Sequence, residues 1–310
     1  MADKFDSIIF DGSHAAHRLA AANPPLTNSK GVRVEVTFGL LRLLASVMRS
    51  NPATRCTVVW DGKGSRAIRQ AIDPDYKANR VDKEDGTRER IQSMHEQVDY
   101  FWEQFGQFLP IHWLISNKYE ADDLIAMAAR KYAKDGDKVL IVSGDRDLLQ
   151  LVNRSITVYS PFGNKFCTLD NFQEYTNGFP HPGAYLHAKC LMGDSSDNVK
   201  GIGGVGEKTA LKILQAINWD ISMLKYAHCP GIEGKLLQRI QHADTWPRIS
   251  RNFKLMSLSG PAHHTYGSAI QEQEGQMNNK QLQVNMARNQ FASILANFTM
   301  WIGPFRLLER

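Results

Sequence analysis

Short apolar runs that end in an acidic residue constrain the fold of this chain more than any other feature. The four runs are SIIFD (7–11), CTVVWD (56–61), IHWLIS (111–116) and KVLIVSGD (138–145). Each is rich in β-branched or aromatic residues and too short for a buried helix, which predicts strands. Three runs end on Asp11, Asp61 and Asp145, and acids follow the remaining run within a few residues. We therefore expect four strands that carry carboxylates at their carboxyl ends.

Helical patterns lie between these strands, at 34–48 and 121–133. Alternation of strands and helices indicates βαβ units, and hence an α/β fold with a mostly parallel central sheet flanked by helices. Ligands of such sheets bind at the carboxyl ends of the strands, so the acids should converge on one cleft. A single aspartate at a strand end can simply cap the next helix. Capping does not explain four strands in a row or doubled acids such as Asp122-Asp123.

The acids of this pattern suggest a metal centre. The candidate ligands are Asp11, Asp61, Glu120, Asp122, Asp123, Asp145, Asp147, Asp194 and Asp197. Carboxylates crowded into a cleft repel one another unless cations neutralise them. A set of oxygen donors favours Mg²⁺, with Mn²⁺ as a substitute. Two such ions form the usual clamp for phosphodiester hydrolysis.

The charge balance favours a polyanionic substrate. The 310-residue chain carries 37 Lys and Arg against 32 Asp and Glu, a net charge of +5. Without the nine candidate ligands, only 23 acids stand against those 37 basic residues. An acidic, metal-filled cleft on a basic body suits a nucleic acid.

Other features bear on the cellular setting. No run of about 18 apolar residues predicts a membrane span, and the start of the chain lacks the apolar segment of a secretion signal. The four cysteines are scattered without a C-x-x-C pair, so we expect buried, reduced thiols rather than disulfides or a zinc site. We expect a cytoplasmic protein that acts as a monomer.

A glycine-rich stretch at 193–210 mimics two nucleotide-binding motifs. Gly201, Gly203 and Gly206 spell G-x-G-x-x-G, but the stretch follows a helical pattern instead of opening a βαβ unit. Glu207 interrupts the G-K-T end of a P-loop. We therefore interpret the stretch as a hairpin between two helices.

Such a hairpin suits the DNA backbone. Glycines let the main chain approach a phosphate, and the N–H groups at the start of a helix attract anions. The residues expected to contact DNA here are Lys200, Gly201, Gly203, Gly206, Lys208, Thr209 and Lys212. Contacts of this kind bind without reading bases.

Six motifs, in this order, resemble the 5′-nuclease family. That family comprises flap endonucleases and 5′→3′ exonucleases of bacteriophages and bacteria, and the 5′-nuclease domain of DNA polymerase I. The motifs are FDGS (10–13), VVWDG (58–62), YKANR (76–80), EADD (120–123), SGDRDLLQL (143–151) and GDSSDNVKGIGGVGEKTA (193–210). The resemblance covers about residues 5–215, and the rest of the chain matches far less clearly.

The resemblance implies a domain organisation. It predicts an α/β nuclease core in 1–180 with a helical arch over about 74–106, a helix-hairpin-helix DNA-binding subdomain in 181–260, and a C-terminal segment, 261–310, that packs back on the core. The part at 81–105 fits either a mobile arch or a plain surface helix, and both interpretations stay open. The polar stretch 267–285 we expect to be a surface helix or linker.

The resemblance also implies roles for single residues. The acids Asp11, Asp61, Glu120, Asp122 and Asp145 match a first metal site with Asp123 in the same cluster, and Asp147, Asp194 and Asp197 match a second, looser site. Lys77 and Arg80 match basic residues that approach the scissile phosphate, where a fixed cation stabilises the transition state. Tyr76 matches an aromatic residue that stacks on a base. We expect Lys77, Arg80 and Asp145 to be catalytic. The hairpin of the family often holds K⁺ on backbone carbonyls.

These observations predict a metal-dependent, structure-specific 5′ nuclease. It would hydrolyse phosphodiester bonds near DNA 5′ ends, as a 5′→3′ exonuclease and flap endonuclease, with water as the nucleophile. The resemblance implies primer or flap removal in replication, RNA–DNA hybrids as further substrates, and a phage or bacterial source, with the host cytoplasm as its location if a phage encodes it. Two alternatives stay open: a catalytically weak DNA-binding member of the same fold, and a related metal-dependent single-strand ribonuclease.

Overall fold

The computed structural model describes residues 4–80, 85–226, 229–259 and 269–308. Its central feature is a seven-stranded sheet. The strands are β1 (Ser7–Asp11), β2 (Arg55–Asp61), β3 (His112–Ser116), β4 (Val139–Val142), β5 (Ile156–Ser160), β6 (Lys165–Cys167) and β9 (Ile270–Glu274). Their spatial order is β6-β5-β4-β1-β2-β3-β9. A separate two-residue ladder pairs β7 (Gly193–Asp194) with β8 (Val199–Lys200).

The five inner strands run parallel, and only the two outer strands, β6 and β9, run antiparallel. Every residue of β1 and β4 is buried, as expected for parallel strands covered on both faces. Alternate residues therefore enter two cores. Ile9 and Ile141 belong to one core, while Ile8 and Leu140 belong to the other. The predicted α/β fold is confirmed.

Helices cover both faces of the sheet and continue beyond it. They are α1 (Gly12–Ala22), α2 (Glu35–Ser50), α3 (Ala67–Ile72), α4 (Asp85–Gln104), α5 (Ala121–Lys134), α6 (Phe172–Tyr175), α7 (Pro182–Met192), α8 (Glu207–Ala216), α9 (Gly234–Ile240), α10 (Thr245–Met256), α11 (Asn279–Arg288), α12 (Ala292–Leu295) and α13 (Phe298–Ile302). Short 3₁₀ turns occupy 78–80, 106–108, 146–151, 221–226 and 303–307. No helix within the described ranges is long and apolar enough to cross a membrane.

Helix α4 lies within the segment predicted as an arch, about 74–106. Residues 81–84 of that segment lie outside the described residues. The later turns of α4 bury Met94, Val98 and Phe101, and the helix packs against α1 and α2. Its C-terminal half is thus a packed helix of the core.

The polar stretch at 267–285 differs from its prediction as a surface helix or linker. Ile270–Glu274 forms β9, which pairs antiparallel with β3, and only the part from Asn279 is helical. The prediction is wrong for β9. Its Gln and Glu side chains are exposed at the edge of the sheet, so the sequence lacks the apolar pattern of a strand, and only backbone hydrogen bonds define it. Beyond β9, Phe291 and Phe305 are buried in the core.

The four cysteines are Cys56, Cys167, Cys190 and Cys229, and each is buried and unpaired. Burial raises the pKa of the Cys190 thiol to about 12. This agrees with the expected buried thiols.

Candidate metal centre and nucleic-acid interface

The carboxyl ends of the parallel strands bring acids to one edge of the sheet. Asp11 and Asp61 are the last residues of β1 and β2. Asp145 follows β4, and Glu120 follows β3. Because the four strands are neighbours in the sheet, acids separated by more than 100 residues in sequence meet there.

Two of these acids also accept hydrogen bonds at the start of a helix, so the interpretation of single aspartates as helix caps is correct as well. The Asp11 carboxylate accepts a hydrogen bond from the His14 N–H at 2.9 Å and begins α1. Asp61 accepts from the Ala121 N–H at 2.8 Å, at the start of α5. Capping fixes the orientation of each carboxylate at the cleft.

Four acids form a cluster that has no cationic partner. Within the described residues, Asp11, Asp61, Asp122 and Asp145 make no ion pair with a lysine, arginine or histidine. Burial, reinforced by the charges of Asp145 and Asp61, raises the pKa of Asp11 to about 7. Burial and the neighbouring charges of Asp145 and Asp11 also raise the pKa of Asp122 well above its usual value. We call these four residues the unpaired cluster.

Ser143 joins two members of the unpaired cluster. Its hydroxyl donates to the Asp11 carboxylate at 2.7 Å and accepts from the Asp145 N–H at 2.9 Å. Ser143 lies directly after β4, so this bond connects the ends of two neighbouring strands.

The other five acids are paired with cations. Glu120 is buried and receives the Lys77 ammonium, while the Arg69 guanidinium lies 2.8 Å from its second oxygen. Burial alone would raise the pKa of Glu120, but the charges of Lys77 and Arg69 outweigh it and lower that pKa. Glu120 is therefore already neutralised by the protein.

Asp123 is held by a buried arginine. Arg69 is only 8% exposed and forms a two-pronged ion pair with Asp123, at 2.7 and 2.9 Å. Its Nε donates to the Leu255 carbonyl of α10 at 2.8 Å. Arg69 therefore links the acids of the cleft to α10, and it orients the Asp123 carboxylate toward its own guanidinium group.

Lys189 of α7 bridges Asp147 and Asp194. Its ammonium contacts the Asp147 carboxylate closely and lies 3.0 Å from Asp194. Burial acts to raise the pKa of Asp194, but Lys189 and the hydrogen bonds from Ser196 lower it overall. Lys189 was not predicted from the sequence, since no spacing rule connects it with an acid 42 residues away.

Asp197 brings the basic motif at 76–80 to the cleft. Its carboxylate lies 2.6 Å from Arg80 and 3.6 Å from the Lys77 ammonium. The Tyr76 hydroxyl lies 3.1 Å from Asp197 and 3.0 Å from Glu120. The Tyr76 ring is only 4% exposed, so stacking on a base would require that ring to leave its pocket.

Lys77 adopts a backbone conformation that is uncommon for its type. Its φ of +56° lies in the left-handed region, which carries a steric cost for residues other than glycine. Its N–H donates to the Asp197 carbonyl at 2.9 Å, and its side chain is buried beside Glu120. Contacts of its backbone N–H and of its side chain hold the Lys77 ammonium beside the acids.

The unpaired cluster fits a hard divalent cation. Its donors are all oxygens, and the burial and mutual repulsion that raise the pKa values of Asp11 and Asp122 are unfavourable to their carboxylate forms unless a cation neutralises them. No three acidic, imidazole or thiol groups in the described ranges already lie in metal-binding positions. An ion there would take its remaining ligands from water and phosphate, as Mg²⁺ usually does.

The glycine stretch lies between two helices, α7 and α8. Gly201 lies so close to Met192 that a Cβ would fall 2.1 Å from its backbone, so only glycine fits there. Lys208 and Lys212 are exposed one turn apart on α8, and Lys200 is exposed before the turn. Gly203 and Gly206 are exposed, and Thr209 is partly exposed. The turn thus presents a basic, glycine-rich surface.

Comparison with known families identifies this arrangement. The family model described as 5′-3′ exonuclease, N-terminal resolvase-like domain, matches residues 6–177, which is more than half of the chain. The chain belongs to the 5′-3′ exonuclease family. A second model of that family, described as 5′-3′ exonuclease, C-terminal SAM fold, matches residues 180–266. The resemblance seen in the six motifs is therefore confirmed.

Relatives of the 5′-3′ exonuclease family agree in sequence and in fold. The chain is 36% identical to the 5′-3′ exonuclease of Aquifex aeolicus over 208 residues, which cover 67% of this chain and 68% of that one. It is 33% identical to DNA polymerase I of Pseudomonas aeruginosa, over 70% of this chain but only 23% of that longer protein. The bacteriophage T5 D15 flap endonuclease, solved in complex with DNA and metal ions, superposes with a TM-score of 0.70 at 19% identity and covers 98% of this chain and 100% of that one. That structural likeness shows the shared fold.

Proposed function

We propose that this member of the 5′-3′ exonuclease family is a metal-dependent nuclease that hydrolyses phosphodiester bonds near DNA 5′ ends, as a 5′→3′ exonuclease and flap endonuclease. One observation carries the proposal: the unpaired cluster of Asp11, Asp61, Asp122 and Asp145 lies at the same strand ends as Glu120, which pairs with Lys77, and Lys77 and Arg80 both pair with Asp197. Such a cleft attracts divalent cations and, through them, a phosphate.

We propose Mg²⁺ as the resident metal, with Mn²⁺ as a substitute. The unpaired cluster would hold a first ion. A second ion at Asp147, Asp194 and Asp197 would compete with Lys189 and Arg80, which supports a weaker second site. The chemistry that bound Mg²⁺ supplies is activation of water and neutralisation of the leaving oxygen.

The residues of this chain would orient the phosphate and stabilise its charge. Lys77 and Arg80 contact acids of the cleft, and their remaining N–H donors are suited to the oxygens that gain negative charge in the transition state. Glu120 and Asp197 fix those cations in place. Tyr76 would position Glu120 and Asp197 through its hydroxyl, with stacking on a base as the alternative role.

The substrate is proposed from the same features. The basic turn with Lys200, Lys208 and Lys212 would grip the duplex backbone while the 5′ end enters the cleft. Removal of RNA primers or 5′ flaps in replication, and action on RNA–DNA hybrids, are proposals that follow from the DNA polymerase I relatives. The monomeric state and the cytoplasmic location stay predictions.

A labelled 5′-flap duplex tests this function. We expect cleavage near the flap junction with Mg²⁺ and none with EDTA. Asp145→Asn should lower the cleavage rate about a hundredfold or more while duplex binding persists, because it removes a charge from the unpaired cluster. Asp170→Asn, which alters an exposed aspartate, is the matched control and should cleave normally.

Three results would contradict the proposal. Near wild-type cleavage by Asp145→Asn would overturn the metal assignment. Binding without cleavage in Mg²⁺ and in Mn²⁺ would indicate a DNA-binding member that has lost catalysis. Faster cleavage of single-stranded RNA than of the flap would favour the ribonuclease alternative.

A further inference from the structure

Side chains from the helices that follow the glycine turn cap its backbone carbonyls. The donors are Arg239, Arg248 and Asn252, and the acceptors are the carbonyls of Gly203, Gly201 and Lys200, in that order. Arg239 lies on α9, and the other two donors lie one turn apart on α10. The turn is therefore held by two guanidinium groups and one amide.

Arg239 is the most exposed of these donors. Its Nη1 donates to the Gly203 carbonyl at 2.5 Å. Gly204 has a φ of +78°, and a Cβ there would lie 2.5 Å from the same Nη1, so the absence of a side chain makes room for the guanidinium. A guanidinium has five N–H donors, and one bond to Gly203 leaves others for a phosphate.

This arrangement bears on the cation expected at the hairpin. The resemblance implies K⁺ on the turn carbonyls. Here the Gly203 and Gly201 carbonyls already accept hydrogen bonds from arginines that stay charged at any physiological pH. A metal ion at the same oxygens would be repelled by these guanidinium groups, so the carbonyls do not fit a K⁺ site.

We propose that Arg239 is the cation of the glycine turn, in place of K⁺, and that its free N–H groups contact a phosphate of the bound duplex. The proposal rests on the DNA-binding role proposed for the turn. Arg248 is partly buried and donates to the Gly201 carbonyl, so it is a positioning residue that keeps the turn in its conformation. DNA binding should then be indifferent to the identity of the monovalent cation.

Equilibrium binding measurements distinguish Arg239 from K⁺ as the cation of the glycine turn. Fluorescence anisotropy of a labelled flap duplex is measured in EDTA, which prevents cleavage, with KCl or the same concentration of tetramethylammonium chloride, whose cation is too large to be bound by carbonyls. For the wild-type protein we expect the Kd to change less than twofold between the salts. In KCl, Arg239→Met should raise the Kd about tenfold, as expected for loss of a charged phosphate contact.

Two controls make the result specific. Arg288→Met removes the same charge from an exposed position on α11 and should leave the Kd within twofold of wild type. Arg239→Lys keeps the charge but loses the planar fork, and should give an intermediate Kd. Thermal melting of each variant checks that the fold is intact.

The outcomes distinguish this inference from the proposed function. A Kd that rises tenfold or more when tetramethylammonium replaces K⁺ would place a metal ion in the turn and overturn the inference, even though flap cleavage persisted. A normal Kd for folded Arg239→Met in KCl would overturn it as well. Absence of duplex binding in both salts would remove the proposed function together with the inference.

Discussion

Replacement of Arg69 by methionine tests how the acid cluster is held together. Arg69 is 8% exposed, binds both oxygens of Asp123 and lies 2.8 Å from Glu120. Methionine keeps much of the buried volume but removes the charge. Asp123 would then be a buried carboxylate without a partner, whereas Glu120 would keep Lys77.

The expected change in the free energy of unfolding follows from these contacts. Removing one partner of a buried ion pair costs about 3–5 kcal/mol. The Leu255 carbonyl also loses its donor, at roughly 1 kcal/mol. The pair keeps slight solvent access, since its side chains are 10% and 12% exposed, which favours the lower part of this range. We expect Arg69→Met to lower the free energy of unfolding by about 4 kcal/mol, roughly a thousandfold in the folding equilibrium.

Guanidinium chloride unfolding, followed by circular dichroism, measures this change. Arg55→Met is the matched control, because Arg55 is 39% exposed in its ion pair with Asp137, and it should cost less than about 1 kcal/mol. Adding Asp123→Leu to Arg69→Met should recover most of the loss, since a well-packed apolar pair replaces a buried ion pair at little cost. A loss of stability for Arg69→Met no larger than that for Arg55→Met, or no recovery in the double variant, would show that the buried ion pair does not hold the acid cluster.

Two further predictions concern the cations at the cleft and on the turn. Lys208→Ala should weaken duplex binding and reduce the slope of log K against log salt by about one unit, because Lys208 is exposed in the first turn of α8. Binding titrations at several salt concentrations measure the slope; Lys280→Ala on α11 is the control, and an unchanged slope for Lys208→Ala would exclude a phosphate contact. Lys189→Met leaves Asp147 and Asp194 unpaired, so Mn²⁺ should raise its melting temperature by more than it raises that of the wild-type protein. Equal shifts in thermal melts with and without Mn²⁺ would show that Lys189 does not compete with a metal ion.

The strands around the cleft were predictable because their local signal is strong. A parallel strand covered on both faces must be apolar along its whole length, and the runs of β1 and β4 show this directly. The edge strand β9 lacked that signal, because its Gln and Glu side chains face solvent and only its hydrogen bonds to β3 define it. The strand-end acids were visible for the same reason as the strands, since they directly follow the apolar runs.

The pairing of those acids was not predictable. Arg69 pairs with Asp123, which is 54 residues away in sequence, and Arg80 pairs with Asp197, which is 117 residues away. Ion pairs at such separations leave no periodic trace in the sequence. The division between an unpaired cluster and five neutralised acids therefore emerged only from the folded chain.

By itself, the sequence determined the α/β class, the family and the set of acids at the strand ends, because apolar runs and short motifs are local properties of the chain. Only the tertiary structure decided which acids have lysine or arginine partners, that Tyr76 is buried between two of them, and that Arg239 caps the glycine turn. The physical reason is that charge neutralisation depends on distances in space between side chains, and those distances exist only once the sheet has brought its strand ends together.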